Sequence, residues 1–120
     1  MNAISNLNTI CDKVVDAYKK IYGDKIRAIY LYGSYARGDF DEESDIDFAA
    51  IVEDEKPQWN DKRSKLLHKT GEIDLDFDVF ISPKVISADY FDKYCPELPF
   101  YRNILQEGKK IAWFIKISTG

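Results

Sequence analysis

The chain has 120 residues, of which 45% are hydrophobic and 14% aromatic, and its 21 acidic and 17 basic side chains give a net charge of −4. This composition predicts a single folded domain over residues 1–120 and excludes a disordered chain. The acidic balance argues against a protein whose main role is to grip nucleic acid, because the phosphate backbone requires a basic surface.

The N-terminal segment, from about Ala3 to Tyr22, is predicted as an amphipathic helix that supports the core. Gly23 follows it at a position that favours a helix end. Cys11 is expected to be a buried small residue on the apolar face. Apolar residues recur at three- and four-residue steps: Ile4, Leu7, Ile10, Cys11, Val14, Val15, Tyr18, Ile21 and Tyr22.

Two predicted strands flank a hydrophilic turn and loop. Ile26 to Tyr32 is rich in β-branched and aromatic residues and predicts the first strand, and Asp45 to Val52 predicts the second. Between them, Gly33 permits a tight turn, and Ser34 can cap a short helix that ends near Arg37. Backbone N–H groups at such a helix start form a natural anion site.

The second strand begins with two carboxylates spaced i, i+2. This spacing places Asp45 and Asp47 on one face of a strand, where they repel each other unless a cation lies between them. Hard oxygen ligands of this kind suit Mg²⁺ bound to phosphate oxygens. Ala49, on the same face, leaves room for a ligand. The pattern therefore predicts a site for a nucleoside triphosphate and its metal, with Ile46, Phe48, Ala50 and Val52 packing against helices on the other face.

A second helix is predicted from Pro57 to about Lys69, with Trp59, Leu66 and Leu67 facing inward and Gly71 ending it. His68 is the only histidine, and no second histidine or cysteine lies near it. A solvated helix histidine is therefore favoured over a catalytic one.

Glu72 to Ile81 alternates apolar and acidic residues and predicts a third strand. Asp74, Asp76 and Asp78 would share one face, either as a solvated side or as part of a metal site facing the first two carboxylates. Three same-face aspartates are poor strand formers and repel one another, which favours the metal site. Same-face neighbours lie roughly 6.6 Å apart, so only one or two of the three could reach the metal.

The C-terminal third is predicted to form a short helix over Ala88 to Tyr94 with Ser87 as its N-cap, and a helix from Pro99 to Gly108. Phe100, Ile104 and Leu105 would face inward, and Ile111 to Ile117 could form a last strand. We expect some of the aromatic residues to be core and the rest to form an exposed patch that binds a protein: Tyr90, Phe91, Tyr94, Phe100, Tyr101, Trp113 and Phe114.

The central stretch resembles the nucleotidyltransferase signature of the DNA polymerase β superfamily, which is Gly-Ser, ten residues, then Asp-x-Asp. Gly33-Ser34 and Asp45-Ile46-Asp47 match it without a gap. Other segments are similar to the minimal nucleotidyltransferases, the small single-domain branch, and the resemblance covers most of the chain from Ile26 to Gly108. Those segments are Ala36-Arg37-Gly38, Ser44-Asp45, Phe77 to Pro83, Leu98 to Ile104 and Glu107-Gly108.

The resemblance implies an α+β nucleotidyltransferase fold, with a small mixed sheet of three to four strands packed against helices. It also implies that Asp45, Asp47 and a third aspartate bind two Mg²⁺ ions and catalyse AMP transfer from ATP. Asp78 is chosen as the third aspartate, as ligand and base, over Asp76 and Asp74, because Phe77-Asp78-Val79 resembles the family's third strand.

The resemblance further implies ligand roles and a partner. Gly33 and Ser34 would hold the β- and γ-phosphates, and Arg37 would bind phosphate or pair with Asp39 or Glu43. Many such domains are antitoxins that adenylylate a HEPN-domain ribonuclease toxin, here at a hydroxyl group, with tyrosine favoured. Two alternatives remain: a nucleotidyltransferase acting on small molecules or nucleic acid, and a non-catalytic antitoxin acting by occlusion.

Other site classes fit the sequence less well. A calcium-binding EF-hand loop would need glycine where Ser44 stands and glutamate where Ala50 stands. No Gly-Lys-Ser or Gly-Lys-Thr follows Gly33, which excludes a P-loop. Cys11 and Cys95 are too few for a disulfide framework, and the chain has no predicted membrane helix or signal peptide, so a cytoplasmic protein with free thiols is expected.

Overall fold

A computed structural model describes residues 3–54, 60–95 and 97–113, with side chains described for residues 6–54, 61–95 and 97–111. Its helices and strands, in chain order, are α1 (Ala3–Tyr22), β1 (Ile26–Tyr32), α2 (Ser34–Arg37), β2 (Ile46–Val52), α3 (Asn60–Phe77), β3 (Ile81–Ser87), α4 (Ala88–Tyr94), α5 (Pro99–Glu107) and β4 (Lys109–Trp113).

The four strands form one mixed sheet in the order β3-β2-β1-β4. β1 is antiparallel to both β2 and β4, whereas β2 and β3 are parallel. The parallel pair requires a crossover connection, and α3 supplies it. The predicted α+β class, with a small mixed sheet packed against helices, is confirmed.

Helices cover both faces of the sheet. On one face, α1 and α3 pack against each other and enclose Ile29, Phe48 and Val85, which are almost fully buried. On the other face, α4 and α5 cover Ala49 and Ile51. The alternation predicted for β2 is therefore correct. Ile46, Phe48, Ala50 and Val52 face α1 and α3, and the small Ala49 shares the face of Asp47.

Helix α1 follows the prediction, and its apolar stripe joins the core. Tyr18 is fully buried, and its hydroxyl donates a hydrogen bond of 2.9 Å to the backbone carbonyl of Lys84 in β3. Cys11 is half-buried against the core, and burial raises the pKa of its thiol to about 11. Both cysteines are free thiols.

The prediction of a third strand over Glu72 to Ile81 is wrong. Helix α3 runs through Gly71 to Phe77, and the strand that follows begins only at Ile81. Leu66, Thr70, Ile73 and Phe77 recur at helical spacing on the side of α3 that packs into the core, whereas Leu75 is 87% exposed. Apolar and acidic residues do alternate in this segment, but packing against α1 stabilises it as a helix.

Two of the aspartates in this segment stabilise the connection between α3 and β3. Asp78 has a φ of 55°, and the carbonyl of Asp74 accepts a 3.1 Å hydrogen bond from the N–H of Val79. This pattern is that of a Schellman helix end, with Asp78 as the left-handed residue. The carboxylate of Asp74 accepts a 2.8 Å bond from the N–H of Ile81, where β3 starts.

Several smaller predictions also need correction. Leu67, Phe100 and Leu105 were expected to face inward but are exposed, whereas Leu66 and Ile104 are fully buried. Strand β4 begins two residues before the predicted start of the last strand. The predicted start of the second helix at Pro57, its inward Trp59, and the predicted end of the last strand lie outside the described residues. Within the described part of the chain, no helix is long and apolar enough to cross a bilayer.

We expect Tyr18→Phe to lower the free energy of unfolding by about 1 kcal/mol, because it removes one buried hydrogen bond without creating a large cavity. Chemical denaturation should show a lower midpoint with an unchanged slope. An unchanged midpoint would mean that the contact with the Lys84 carbonyl contributes nothing to stability.

Candidate active site

Four of the predicted site residues lie where β1 ends and β2 begins: Gly33, Ser34, Asp45 and Asp47. Tyr32, the last residue of β1, pairs with Asp47 of β2. The chain then turns through Gly33, whose φ of 75° and ψ of −153° are open to glycine but strained for other residues. A Cβ at this position would overlap a carboxylate oxygen of Asp47. The Asp47 side chain therefore lies directly against the backbone of the turn.

Helix α2 starts at this turn. The N–H groups of Ala36 and Arg37 donate to the carbonyl of Gly33, both at 3.1 Å. Gly33 itself is the N-cap residue, and no side-chain cap bond is formed, so the cap role predicted for Ser34 is not observed. The N–H groups of Ser34 and Tyr35 have no acceptor within the helix because they belong to its first turn.

The two carboxylates differ in their surroundings. Asp45 is exposed and lies just before β2, whereas Asp47 is half-buried within it. Burial, followed by the negative charge of Asp45, raises the pKa of Asp47, and the positive charges of Lys84 and Arg37 oppose this rise. A close carboxylate pair of this kind is destabilising without a cation and fits one Mg²⁺ whose remaining ligands are phosphate oxygens and water.

The structure does not bring Asp78 into this pair. Among the described residues, no three histidine, cysteine or acidic side chains form a group that could hold one metal ion. Asp78 is exposed at the end of α3, and Asp76 lines a separate shallow pocket between α1 and α3. Asp74 is close enough to Asp45 for that charge to help raise its pKa, although burial contributes more. Its carboxylate is bonded to the start of β3.

Strand β3 contributes two polar residues that the sequence analysis did not identify. In the parallel ladder, Ser82 lies opposite Asp47 and Lys84 lies opposite Ala49. Both line a cavity of about 440 Å³ that also includes Asp45. The sequence analysis ended its third strand at Ile81, so Ser82 and Lys84 fell outside it, whereas both lie inside β3. Other lining residues are Arg63, Leu67, Phe80, Phe100 and Tyr101.

Tyr32 is a third residue that the sequence analysis did not identify as part of the site. The residue is only 8% exposed, and its ring meets that of Phe100 edge-on with the centroids 5.7 Å apart. Its hydroxyl has no hydrogen-bond partner in the described part of the chain. Burial and the charge of Asp47 raise the pKa of this hydroxyl. An unsatisfied buried hydroxyl beside the carboxylates costs stability.

Arg37 lies at the edge of the site and is exposed. Its guanidinium donates to Asp39 at 3.1 Å and to Glu107 at 3.2 Å, so pairing with Asp39 is confirmed and pairing with Glu43 is not observed. The loop that follows α2 is stabilised by the stacked rings of Tyr35 and Phe40, 4.2 Å apart.

His68 is solvated, as predicted. Its side chain is 81% exposed and lies 3.7 Å from Glu72, one helical turn further along α3.

Comparison with known families gives a match over most of the chain. Residues 12–112 match the family model described as polymerase beta, nucleotidyltransferase. Two proteins of Methanocaldococcus jannaschii, each named a putative protein adenylyltransferase, are similar in sequence. One is 40% identical over 95 residues, covering 79% of this chain and 87% of the relative. The other is 36% identical over 89 residues, covering 68% of this chain and 88% of the relative.

Solved structures share the fold at lower sequence identity. A crystal structure of a toxin-antitoxin with AMP-PNP aligns with a TM-score of 0.56 and 19% identity, covering 85% of this chain and 72% of that one. A mutant of the toxin-antitoxin MntA-HpeT aligns with a TM-score of 0.55 and 17% identity over the same shares.

Gly33→Ala and Gly38→Ala form a matched pair, because both glycines have positive φ but only Gly33 abuts Asp47. We expect Gly38→Ala to cost about 1–2 kcal/mol of stability through its left-handed backbone. Gly33→Ala should cost more, because its backbone angles are almost restricted to glycine and its Cβ would overlap Asp47. Gly33→Ala should also lower nucleotidyl transfer about 100-fold, because a displacement of about 1 Å at a reacting centre can have that effect. Transfer should remain near wild type in Gly38→Ala. Equal activity losses in the two variants would contradict the role given to the Gly33–Asp47 contact.

We expect Asp47→Asn to raise the melting temperature of the metal-free protein at pH 7. Folding raises the pKa of Asp47, which means that the folded state disfavours the ionised carboxylate. The resulting decrease in the free energy of unfolding is therefore fully present at pH values above that raised pKa. The gain from Asn should shrink as the pH falls through the raised pKa toward the ordinary aspartate value. Melting in EDTA between pH 7 and pH 4 measures this difference, and a variant less stable than wild type at pH 7 would contradict it.

Proposed function

Because this chain belongs to the polymerase beta nucleotidyltransferase family, we propose that it transfers AMP from ATP to a hydroxyl group of a partner protein. The observation that carries the proposal is the Asp45–Asp47 pair placed against the Gly33 turn, in a chain 40% identical over 95 residues to a protein named as a putative protein adenylyltransferase. ATP and Mg²⁺ are both available in the cytoplasm, where we expect the protein to act.

The donor set fits one Mg²⁺, held by Asp45 and Asp47. A bound Mg²⁺ would polarise the phosphate and neutralise the charge that develops during transfer. The Gly33 turn fixes the carboxylate of Asp47, so that its position is set before substrate arrives. The second ion predicted from the resemblance would need other ligands, because no third acidic residue of the described chain joins the pair.

The remaining residues of the site would bind and orient the nucleotide. The first-turn N–H groups of Ser34 and Tyr35 would bind phosphate oxygens, with Gly33 allowing their close approach. The acceptor oxygen then attacks the α-phosphorus, the bond to the bridging oxygen of pyrophosphate breaks, and the acceptor proton is lost to solvent or to a carboxylate. Arg37 already has two acidic partners and would act at the edge of the site.

The acceptor side would be completed by a protein partner. Phe80 is 73% exposed, and Leu67 and Phe100 are also exposed; all three line the cavity that includes Asp45. Apolar side chains of this size in a polar rim are typical of protein interfaces. An acceptor hydroxyl carried by a tyrosine would bring its own ring into such a surface.

The partner that we favour is a HEPN-domain ribonuclease toxin, with this chain as its antitoxin. A ribonuclease needs a basic surface for RNA, and the net charge of −4 on this chain complements it. Two solved toxin-antitoxin structures share the fold, and one contains AMP-PNP.

The test is co-expression with the product of the neighbouring gene, followed by incubation with ATP and Mg²⁺ and intact-mass measurement of the partner. We expect wild type to add one AMP, on a tyrosine identified by peptide mapping. Asp45→Asn should bind the partner but add no nucleotide, because the exposed carboxylate is needed for metal and not for packing.

The alternatives give different outcomes in the same experiment. A partner that binds and is neutralised without any gain in mass would support occlusion by a non-catalytic antitoxin. AMP transfer to RNA or to a small molecule, with no protein modified, would favour the nucleotidyltransferase alternative with a different acceptor. Equal modification by wild type and Asp45→Asn would contradict the assignment of the metal site.

A further inference from the structure

Two cations act on the half-buried carboxylate of Asp47. Lys84 and Arg37 are the positive charges that lower the pKa of Asp47. Arg37 has two carboxylate partners, Asp39 and Glu107. Lys84, in contrast, forms no ion pair with any described residue and has an exposed side chain. Of the two, Lys84 is therefore the one available to an incoming anion.

The position of Lys84 is fixed by the fold. In the ladder between β2 and β3, Lys84 lies opposite Ala49, and Ser82 lies opposite Asp47. Lys84 and Ser82 are two residues apart on β3 and therefore share one face of the sheet. The backbone carbonyl of Lys84 accepts the hydrogen bond from the buried Tyr18 hydroxyl, which anchors the strand at this residue. Ala49 has only a methyl group, so no bulky side chain separates the lysine from the aspartates.

Lys84 also lines the cavity that includes Asp45. A nucleotide whose metal is held by Asp45 and Asp47 must place its phosphates beside these carboxylates. The phosphates carry more negative charge than one divalent ion neutralises, and a lysine is a common phosphate ligand in proteins.

We propose that Lys84 binds the phosphate oxygens of the nucleotide, and so supplies from β3 a positive charge where the resemblance had predicted a third carboxylate. The ammonium group would neutralise charge on the polyphosphate in the bound state and on the departing pyrophosphate. This inference rests on the proposed function, because it assumes that the same site binds a nucleoside triphosphate.

The test is calorimetric binding of ATP and of inorganic pyrophosphate, each with Mg²⁺ and without any acceptor protein. We expect Lys84→Met to weaken both ligands by about 10- to 100-fold, the loss typical of a hydrogen bond to a charged group. Lys84→Arg should retain most of the affinity. Adenosine, which has no phosphate, should bind to wild type and to Lys84→Met with equal affinity.

Lys65→Met is the matched control, because it removes the same charge from an exposed lysine of α3 that does not line the cavity. Its affinity for ATP should equal that of wild type, and melting curves should show all three variants folded. Equal ATP affinity in wild type and Lys84→Met, or an equal loss for adenosine and ATP, would overturn the role of Lys84 alone. Wild type that binds neither ATP nor pyrophosphate would refute the nucleotide site itself, and the role of Lys84 with it.

Discussion

The site depends on the contact between the carboxylate of Asp47 and the backbone of Gly33. The pairing of Tyr32 with Asp47 brings the end of β1 beside the start of β2, so the turn that follows must pass over the aspartate. Only a residue without a side chain leaves room there, and only glycine adopts the required backbone angles without strain. The first turn of α2, the loop that follows and the approach of Asp45 are all positioned by this crossing.

The same arrangement places several unfavourable polar and charged groups close together at one end of the sheet. Asp47 is half-buried beside a second carboxylate, and the hydroxyl of Tyr32 is buried without a partner in the described part of the chain. Neither feature contributes to the stability of the metal-free fold, and both concentrate at one end of the sheet. Strain and perturbed pKa values gathered in one place are typical of functional sites, where a ligand supplies the missing interactions.

The crossover from β2 to β3 explains how the site differs from the predicted three-aspartate arrangement. Helix α3 extends to Phe77, so the aspartates that follow Ile73 fall on a helix end and not on a strand. The backbone and carboxylate of Asp74 serve the helix end and the first N–H of β3, and Asp78 takes the left-handed turn between them. The residues that reach the sheet beside Asp47 are consequently Ser82 and Lys84, so that a lysine and not a third aspartate lies on this strand.

The sequence by itself determined the first helix, the first two strands, the Gly33 turn and the closeness of the Asp45 and Asp47 carboxylates. Each of these depends on local rules: helical periodicity in α1, alternation in β2, and the backbone freedom of glycine. It did not determine the segment from Glu72 to Ile81, because Ile73 and Phe77 fit both the alternation of a strand and the four-residue spacing of a helix. Only the tertiary structure decided between them, since the stripe of Leu66, Thr70 and Ile73 is buried when α3 packs beside α1. The approach of Lys84 to the carboxylates was likewise decided by the register between two strands joined through that helix, which no local pattern specifies.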